Sequence, residues 1–307
     1  MTDDVLLAAR GLVRNYGRQS ALRGIDITLR RGEVLGFLGL NGAGKTTTLQ
    51  ILAGALARHS GTVTVCGHDL DSAPRAARAA LGYLPQTPAL YDDMLVDEYL
   101  SWCGRLHGLA GHALISARAL ARQRTGLEDC GRRLIRHLSQ GYRQRVGIAQ
   151  AILHDPAVIL LDEPTTALDP AQIRDMRALI RELGRDRAVL VSTHILPEVR
   201  MLANRILILH GGRVVHDAAN RAASGTGSLR ARFARDPDAS TLANLAGVRK
   251  VEQAPDGAWL IDFDPSETAT ETLAESVVTA GWGLIELVPA FDALEHLFMR
   301  LTAGKPV

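Results

Sequence analysis

Gly39-Leu-Asn-Gly-Ala-Gly-Lys-Thr46 is the most informative stretch of this 307-residue chain. It satisfies G-x-x-x-x-G-K-[ST] at every defined position, the pattern of a loop that cradles phosphate oxygens. Glycines let successive backbone N–H groups curl around an anion without Cβ clashes. A helix opening at residue 44 aims its free N–H groups at the same anion. Lys45 supplies a point charge for β- and γ-phosphates, and Thr46 a hydroxyl for Mg²⁺. The setting agrees: residues 34–38 form an apolar, strand-like run before the loop, and residues 46–55 read as a helix after it. An ordinary Gly-rich turn is the alternative, and that strand–loop–helix context disfavours it.

Outward from the loop, residues 157–161, 188–192 and 205–209 are further continuous apolar runs. Strands apolar on both faces belong in the middle of a helix-covered sheet. With a helix predicted over 170–183, the expectation is an α/β layered fold with a mostly parallel sheet. Residues 5–9, 24–29 and 62–65 read as shorter strands bounded by turn residues. Residues 87–154, rich in Ala, Leu and Arg at helical spacing, read as a helical subdomain inserted in the α/β core.

A linker of small residues is expected over 223–228, dividing a first domain (1–222) from a second (229–307). The second domain reads as strands 229–234, 248–253, 258–263 and 284–288, with helices 239–245 and 267–280. That is βαββαβ, a ferredoxin-like split-βαβ α+β domain, with a terminal helix over 291–301. It carries no catalytic motif. Trp259 and Trp282 are expected in its core.

Bulk composition narrows the functions. The net charge of +2 is too small to argue for nucleic acid, and no nucleic-acid partner is expected. The charge is uneven: residues 228–307 hold 7 Lys/Arg against 12 Asp/Glu, whereas residues 1–227 hold 28 against 21. A basic front part suits an anionic ligand, although chance drift of surface charge explains it equally well. The three cysteines, Cys66, Cys103 and Cys130, lack metal-ligand spacing and point to a reducing compartment. The acidic start, Met1-Thr-Asp-Asp, does not read as a secretory signal. No apolar run approaches the ~20 residues that span a bilayer.

A second chemical signal is Val158-Ile-Leu-Leu-Asp-Glu163, a buried-type strand ending in two acids. Buried carboxylates are costly unless they meet a cation or hydrogen-bond donors. Behind a phosphate loop, Asp162 is the expected metal-shell ligand and Glu163 the general base for water. His194 follows the run 188–192, at the end of a predicted parallel strand, where open α/β sheets bind ligands.

In that order the motifs resemble the nucleotide-binding subunit of an ATP-binding-cassette (ABC) transporter, over roughly residues 4–220. Asn15-Tyr-Gly17 puts Tyr16 where the family has an adenine-stacking aromatic. Tyr83-Leu-Pro-Gln86 matches the glutamine that senses Mg²⁺ and faces the membrane partner. Leu138-Ser-Gln-Gly-Tyr142 matches the helix-opening signature, with Gln140 in place of a Gly and Tyr142 in place of the Gln. Ala167-Leu-Asp169 matches the dimer-contact loop, and His194 the γ-phosphate switch.

The resemblance implies a P-loop NTPase of ABC type that hydrolyses ATP with Mg²⁺. It implies nucleotide contacts from Tyr16, Gly39, Leu40, Asn41, Gly42, Ala43, Gly44, Lys45, Thr46, Thr47, Ser139, Gln140, Gly141 and Asp169. Metal contacts fall to Thr46, Gln86 and Asp162, and catalysis to Glu163, His194 and Gln86. Each ATP would lie between the loop of one copy and Ser139/Gly141 of a second copy or a homologous subunit. Gly141-Tyr-Arg-Gln-Arg145 and the C-terminal Phe291-Asp-Ala-Leu-Glu-His-Leu-Phe-Met-Arg-Leu301 are similar to a subgroup serving export permeases, gliding-motility and multidrug types among them. The implied protein is cytoplasmic, peripheral at the inner face of the cell membrane, with a separate integral permease. The alternative is a soluble, non-transport ABC ATPase.

Overall fold

The computed structural model describes residues 5–166, 168–220, 227–254, 256–263, 270–289 and 298. The chain divides into two compact units, Met1–Ala218 and Ala219–Val307.

The first unit opens with β1 (Val5–Tyr16) and β2 (Gln19–Arg30), a long antiparallel pair. Both strands run well past the expected 5–9 and 24–29. In β1 the alternation breaks at Arg10-Gly11, where the register shifts between Ala9 and Leu12. Gly11 takes φ 58°, a left-handed conformation open to glycine, and its N–H donates to Asp26 Oδ1 at 2.7 Å. The strand therefore continues through a bulge where the pattern alone suggests an end.

β3 (Val34–Leu38) is followed by the phosphate loop, α1 (Lys45–Leu52), β4 (Ser60–Val65), the two-residue β5 (His68–Asp69), α2 (Pro74–Ala79) and β6 (Leu81–Leu84). The helical insertion comprises α3 (Val96–Leu106), α4 (Gly111–Thr125) and α5 (Gln140–Ile152), with two 3-10 turns between α4 and α5. Then come β7 (Val158–Asp162), α6 (Pro170–Leu183), β8 (Ala188–Thr193), α7 (Leu196–Leu202), β9 (Arg205–His210) and β10 (Arg213–Ala219).

The six-stranded sheet runs β10-β9-β3-β8-β7-β6, with β9, β3, β8, β7 and β6 mutually parallel. β3, β7 and β8 are buried at every residue, as strands covered on both faces must be. A second sheet, β2-β1-β4-β5, is antiparallel throughout and was not anticipated as a separate layer. Leu7, Leu22 and Ile25 of that sheet, Leu49 of α1, and Phe37 and Leu190 of the parallel sheet share one apolar core. The phosphate-loop helix is thus clamped between two layers.

The second unit holds β11 (Gly227–Phe233), α8 (Ala239–Ala243), β12 (Val248–Gln253), β13 (Trp259–Phe263), α9 (Thr270–Thr279) and β14 (Leu284–Pro289). Its sheet order is β12-β13-β11-β14 with every neighbour antiparallel, the arrangement two interlocked split βαβ units produce. Leu229, Ala231, Phe233, Trp259, Ile261 and Phe263 line its core, and Trp282 meets Phe233 edge-on at 5.6 Å. β11 takes in Gly227 and Ser228, paired with Phe263 and Asp262, so the strand starts inside the expected linker. The rest of that linker, the helix expected over 291–301 except Phe298, and Ala167 lie outside the described residues.

Candidate functional site

Strand register assembles the site. In the parallel sheet Leu84 pairs with Leu161, Asp162 with Ser192, and Thr193 with Leu38. The carboxyl ends of β6, β7, β8 and β3 therefore stand side by side at one sheet edge. Gln86 follows β6, Glu163 follows β7, His194 follows β8, and the loop 39–46 follows β3. This edge is where open parallel sheets place ligands.

The loop has the form an anion cradle needs. Gly44 caps α1 at φ 111°, and a Cβ there would lie 2.7 Å from Ala21 O. Only glycine permits that turn. The α1 N-terminus has no side-chain cap and no acid in its first turn, so its N–H groups remain available to an anion. Leu40, Gly42 and Asn41 form the outer part of the loop, and Ala43 is buried. Thr46 and Thr47 are half-buried in the first turn of α1.

Lys45 is buried, and its Nζ donates to Gly39 O at 2.7 Å and Leu40 O at 3.2 Å. Burial holds its pKa below the usual lysine value, against the opposing pull of Glu163 and Asp162. Its ammonium lies 3.7 Å from Glu163 Oε1.

Asp162 is fully buried. Its Oδ1 accepts from Ser192 Oγ at 2.5 Å, whereas Oδ2 has no hydrogen-bond partner. Burial raises its pKa; hydrogen bonding from Ser192 and the nearby Thr46 works the other way. Both Lys45 and Asp162 thus sit where their charge is disfavoured, which is the electrostatic mark of a site that takes a charged ligand.

Glu163 is buried and adopts φ 47°, a left-handed conformation uncommon for a non-glycine residue. Its carboxylate has a partner on every side. His194 Nδ1 stands 3.1 Å from Oε1, Gln86 Nε2 donates to Oε2 at 3.4 Å, and Thr166 Oγ1 donates to Oε2 at 3.2 Å. Nδ1–H donation to the Glu163 carboxylate leaves Nε2 of the exposed His194 for a second partner. Glu163 N donates to Ser192, to its carbonyl at 3.2 Å and its Oγ at 3.0 Å.

The remaining predicted residues lie elsewhere. Tyr16 ends β1, 47% exposed, with the Arg14 guanidinium 4.9 Å from its ring centroid. Ser139 caps α5 and accepts from Tyr142 N at 3.4 Å; Gln140 is the exposed first residue of that helix. Gly141 is buried, and a Cβ there would come within 2.4 Å of Gln172 Oε1. Asp169 caps α6: its Oδ1 accepts from Gln172 N at 2.8 Å, and Gln172 Oε1 accepts from Asp169 N at 3.4 Å. Among the described residues, no hydrogen bond or ion pair joins Ser139, Gln140 or Gly141 to Lys45, Asp162 or Glu163.

Sequence reasoning missed Ser192, Thr166 and Gln172. Ser192 had a signal: a hydroxyl at the end of an otherwise apolar strand needs a partner. Gln172 had one too, since Asp169-Pro-Ala-Gln172 has capping-box spacing at the start of a predicted helix; Thr166 had none, because its partner is set by a turn rather than by pattern. No group of three His, Cys, Asp or Glu among the described residues could hold a metal ion. A cation here must complete its shell from hydroxyl, amide, water and phosphate oxygens, and the unpartnered Asp162 Oδ2 fits that need.

Comparison with known proteins gives one consistent picture. Residues 22–166 match the ABC transporter family model. An uncharacterized ABC transporter ATP-binding protein of Bacillus subtilis, YdbJ, is 33% identical over 97% of this chain and 96% of its own length. Nod factor export ATP-binding protein I of Burkholderia lata is 36% identical over 69% of this chain and 70% of its own. A solved ATP-binding subunit of an ABC transporter superposes with TM-score 0.65 at 30% identity, covering 70% of this chain and 90% of that one.

Proposed function

The chain belongs to the ABC transporter family of ATP-binding proteins, and on that footing we propose that it powers an export-type transporter through a separate membrane permease. As a family member it is the ATP-binding, ATP-hydrolysing subunit of a transporter. The observation that carries the mechanism is the convergence of Lys45, Asp162, Glu163, His194 and Gln86 at adjacent strand ends. Export is supported by the relative named for Nod factor export. No helix of the described residues is long and apolar enough to cross a membrane, so this reading assigns the translocation path to a separate permease. It places the chain in the cytoplasm, at the inner face of the membrane.

In this mechanism the loop N–H groups and Lys45 bind the β- and γ-phosphates. Thr46, Gln86 and Asp162 would hold Mg²⁺, which neutralises charge developing on the phosphoryl oxygens. Glu163 takes the proton of the attacking water, and its strained backbone and four neighbours fix its carboxylate. His194, bonded to Glu163 through Nδ1, presents Nε2 toward the γ-phosphate side. Gln86 follows an edge strand, so its contact with Glu163 can report on a permease docked there. Tyr16 stacks on the adenine. A second copy closes the site, bringing Ser139 and Gly141 at the α5 N-terminus onto the γ-phosphate.

Purification from detergent-solubilised membranes tests the transport reading. Expressed with its cognate permease, the chain is expected to co-elute with it as a pair of ATPase subunits. Recovery only as free protein, with ATPase activity indifferent to the permease, would contradict it.

A further inference from the structure

The mechanism above does not use Glu198, which lies in the first turn of α7 and is 4% exposed. A carboxylate that deep is costly unless it is bonded. Its Oε2 accepts from two hydroxyls, Thr165 Oγ1 at 2.9 Å and Thr193 Oγ1 at 3.0 Å. Thr193 Oγ1 also accepts from Ile195 N at 3.0 Å.

These two threonines come from different strand ends. Thr165 lies two residues after Glu163, and its neighbour Thr166 donates to the Glu163 carboxylate. Thr193 immediately precedes His194, and the Ile195 bond closes the turn around it. One oxygen of Glu198 therefore ties together the two segments that carry Glu163 and His194. Both threonines are buried, at 7% and 3% exposure, so losing that oxygen leaves two buried hydroxyl donors without it. Glu163 is held at φ 47°, a conformation that persists only where its surroundings over-determine it.

We propose that Glu198 is a positioning residue for hydrolysis: by gripping Thr165 and Thr193 on one oxygen, it sets Glu163 and His194 at their bonding distance. This rests on the reading of Glu163 as the base. An aliphatic side chain in its place offers no acceptor to either hydroxyl. Glutamine keeps a carbonyl acceptor of the same reach, so it preserves part of the grip; alanine removes it.

The test measures kcat, KM and equilibrium ATP binding for the full chain and for Glu198→Ala, Glu198→Gln and Glu163→Gln. Glu198→Ala is expected to lower kcat per nucleotide-binding site by about 100-fold, the scale of a misplacement of about 1 Å, with ATP binding unchanged. Glu198→Gln is expected to recover most of that loss. If Glu198→Ala does not fold, Thr165→Val and Thr193→Val replace it. Each should lower kcat alone, and the double variant should lose less than the two effects combined, because both act through one oxygen. Full kcat in Glu198→Ala or in the double threonine variant overturns the proposal. So does a loss of ATP binding parallel to the loss of kcat, which marks a folding role only. Glu163→Gln separates the two ideas: if it still hydrolyses ATP, the base assignment falls, whereas a dead Glu163→Gln beside a fully active Glu198→Ala removes the positioning role alone.

Discussion

The two polar clusters of the first unit are built in opposite ways. The cluster around Glu163 is closed within one chain: four adjacent strand ends deliver its members, and they bond to one another. The cluster around Ser139 is open. It consists of a helix start with no acid in its first turn, a serine that caps only its own helix, and a glycine backed by Gln172. The closed cluster can place a base and a charge but leaves Asp162 Oδ2 unpartnered. The open one can receive an anion but has no chemistry of its own. The contrast fits a reaction centre completed from outside by a second helix start, here carried on a helix whose body packs on β6 while Ser139 and Gln140 at its start are exposed.

Removing the base should divide the clusters most sharply. Glu163→Gln is expected to slow hydrolysis by about 10²- to 10⁴-fold, the range for loss of a general base, while ATP binding survives. A phosphate-release assay paired with nucleotide titration checks it; unchanged turnover would take Glu163 out of the base role. Lys45→Ala should act one step earlier. Losing a charge-assisted contact to phosphate weakens ATP binding by about 10- to 100-fold, readable by calorimetric titration.

Gly141→Ala probes the open cluster. The added methyl must displace Gln172, whose side chain completes the α6 capping box with Asp169. The cost to folding should be about 1 kcal/mol, that of a lost cap. Hydrolysis should fall while ATP affinity of the separated chain stays unchanged; a drop in that affinity would mean the clusters are not independent.

The smallest effect concerns the far end of the signature helix. His154, just past α5, stacks on His107 with ring centroids 3.7 Å apart. Burial, with the neighbouring His107, pulls its pKa down to about 4. A histidine depressed in the folded state contributes stability that is complete above its ordinary pKa near 6.5. As pH falls from there toward about 4, the unfolded chain takes the proton first and that contribution is lost. Urea midpoints should therefore drop between pH 7 and pH 5, and His154→Phe should flatten the drop. An equal slope in the variant would assign the acid sensitivity to other groups.

The closed cluster was far more legible in the sequence than the open one. Val34–Leu38 and Pro170–Leu183 stand where periodicity puts them, because buried parallel strands and amphipathic helices write their pattern locally. Gly39 to Thr46 form one unbroken run and Asp162-Glu163 another, so the chemistry of each can be read without a fold. The grip of Glu198 could not be read, since its partners lie 33 and 5 residues away and meet only through strand register. The antiparallel sheet escaped for a different reason. The alternating pattern of β1 breaks at Gly11, where a bulge fixed by Asp26 mimics a strand end although the strand continues. Ser139 and Gly141 were assigned by resemblance alone; nothing in their local pattern separates an anion-receiving helix start from an ordinary capped one.

The account stands or falls on whether one chain's Glu163 cluster works with another chain's Ser139 cluster. Mixing Lys45→Ala protein with Gly141→Ala protein tests this directly by ATP hydrolysis. Each variant alone is expected to be nearly inactive, and the mixture is expected to recover substantial turnover. Recovery follows because a mixed dimer pairs the intact phosphate loop of one chain with the intact signature of the other. A mixture no more active than its components, from two variants that still associate, would contradict the shared site.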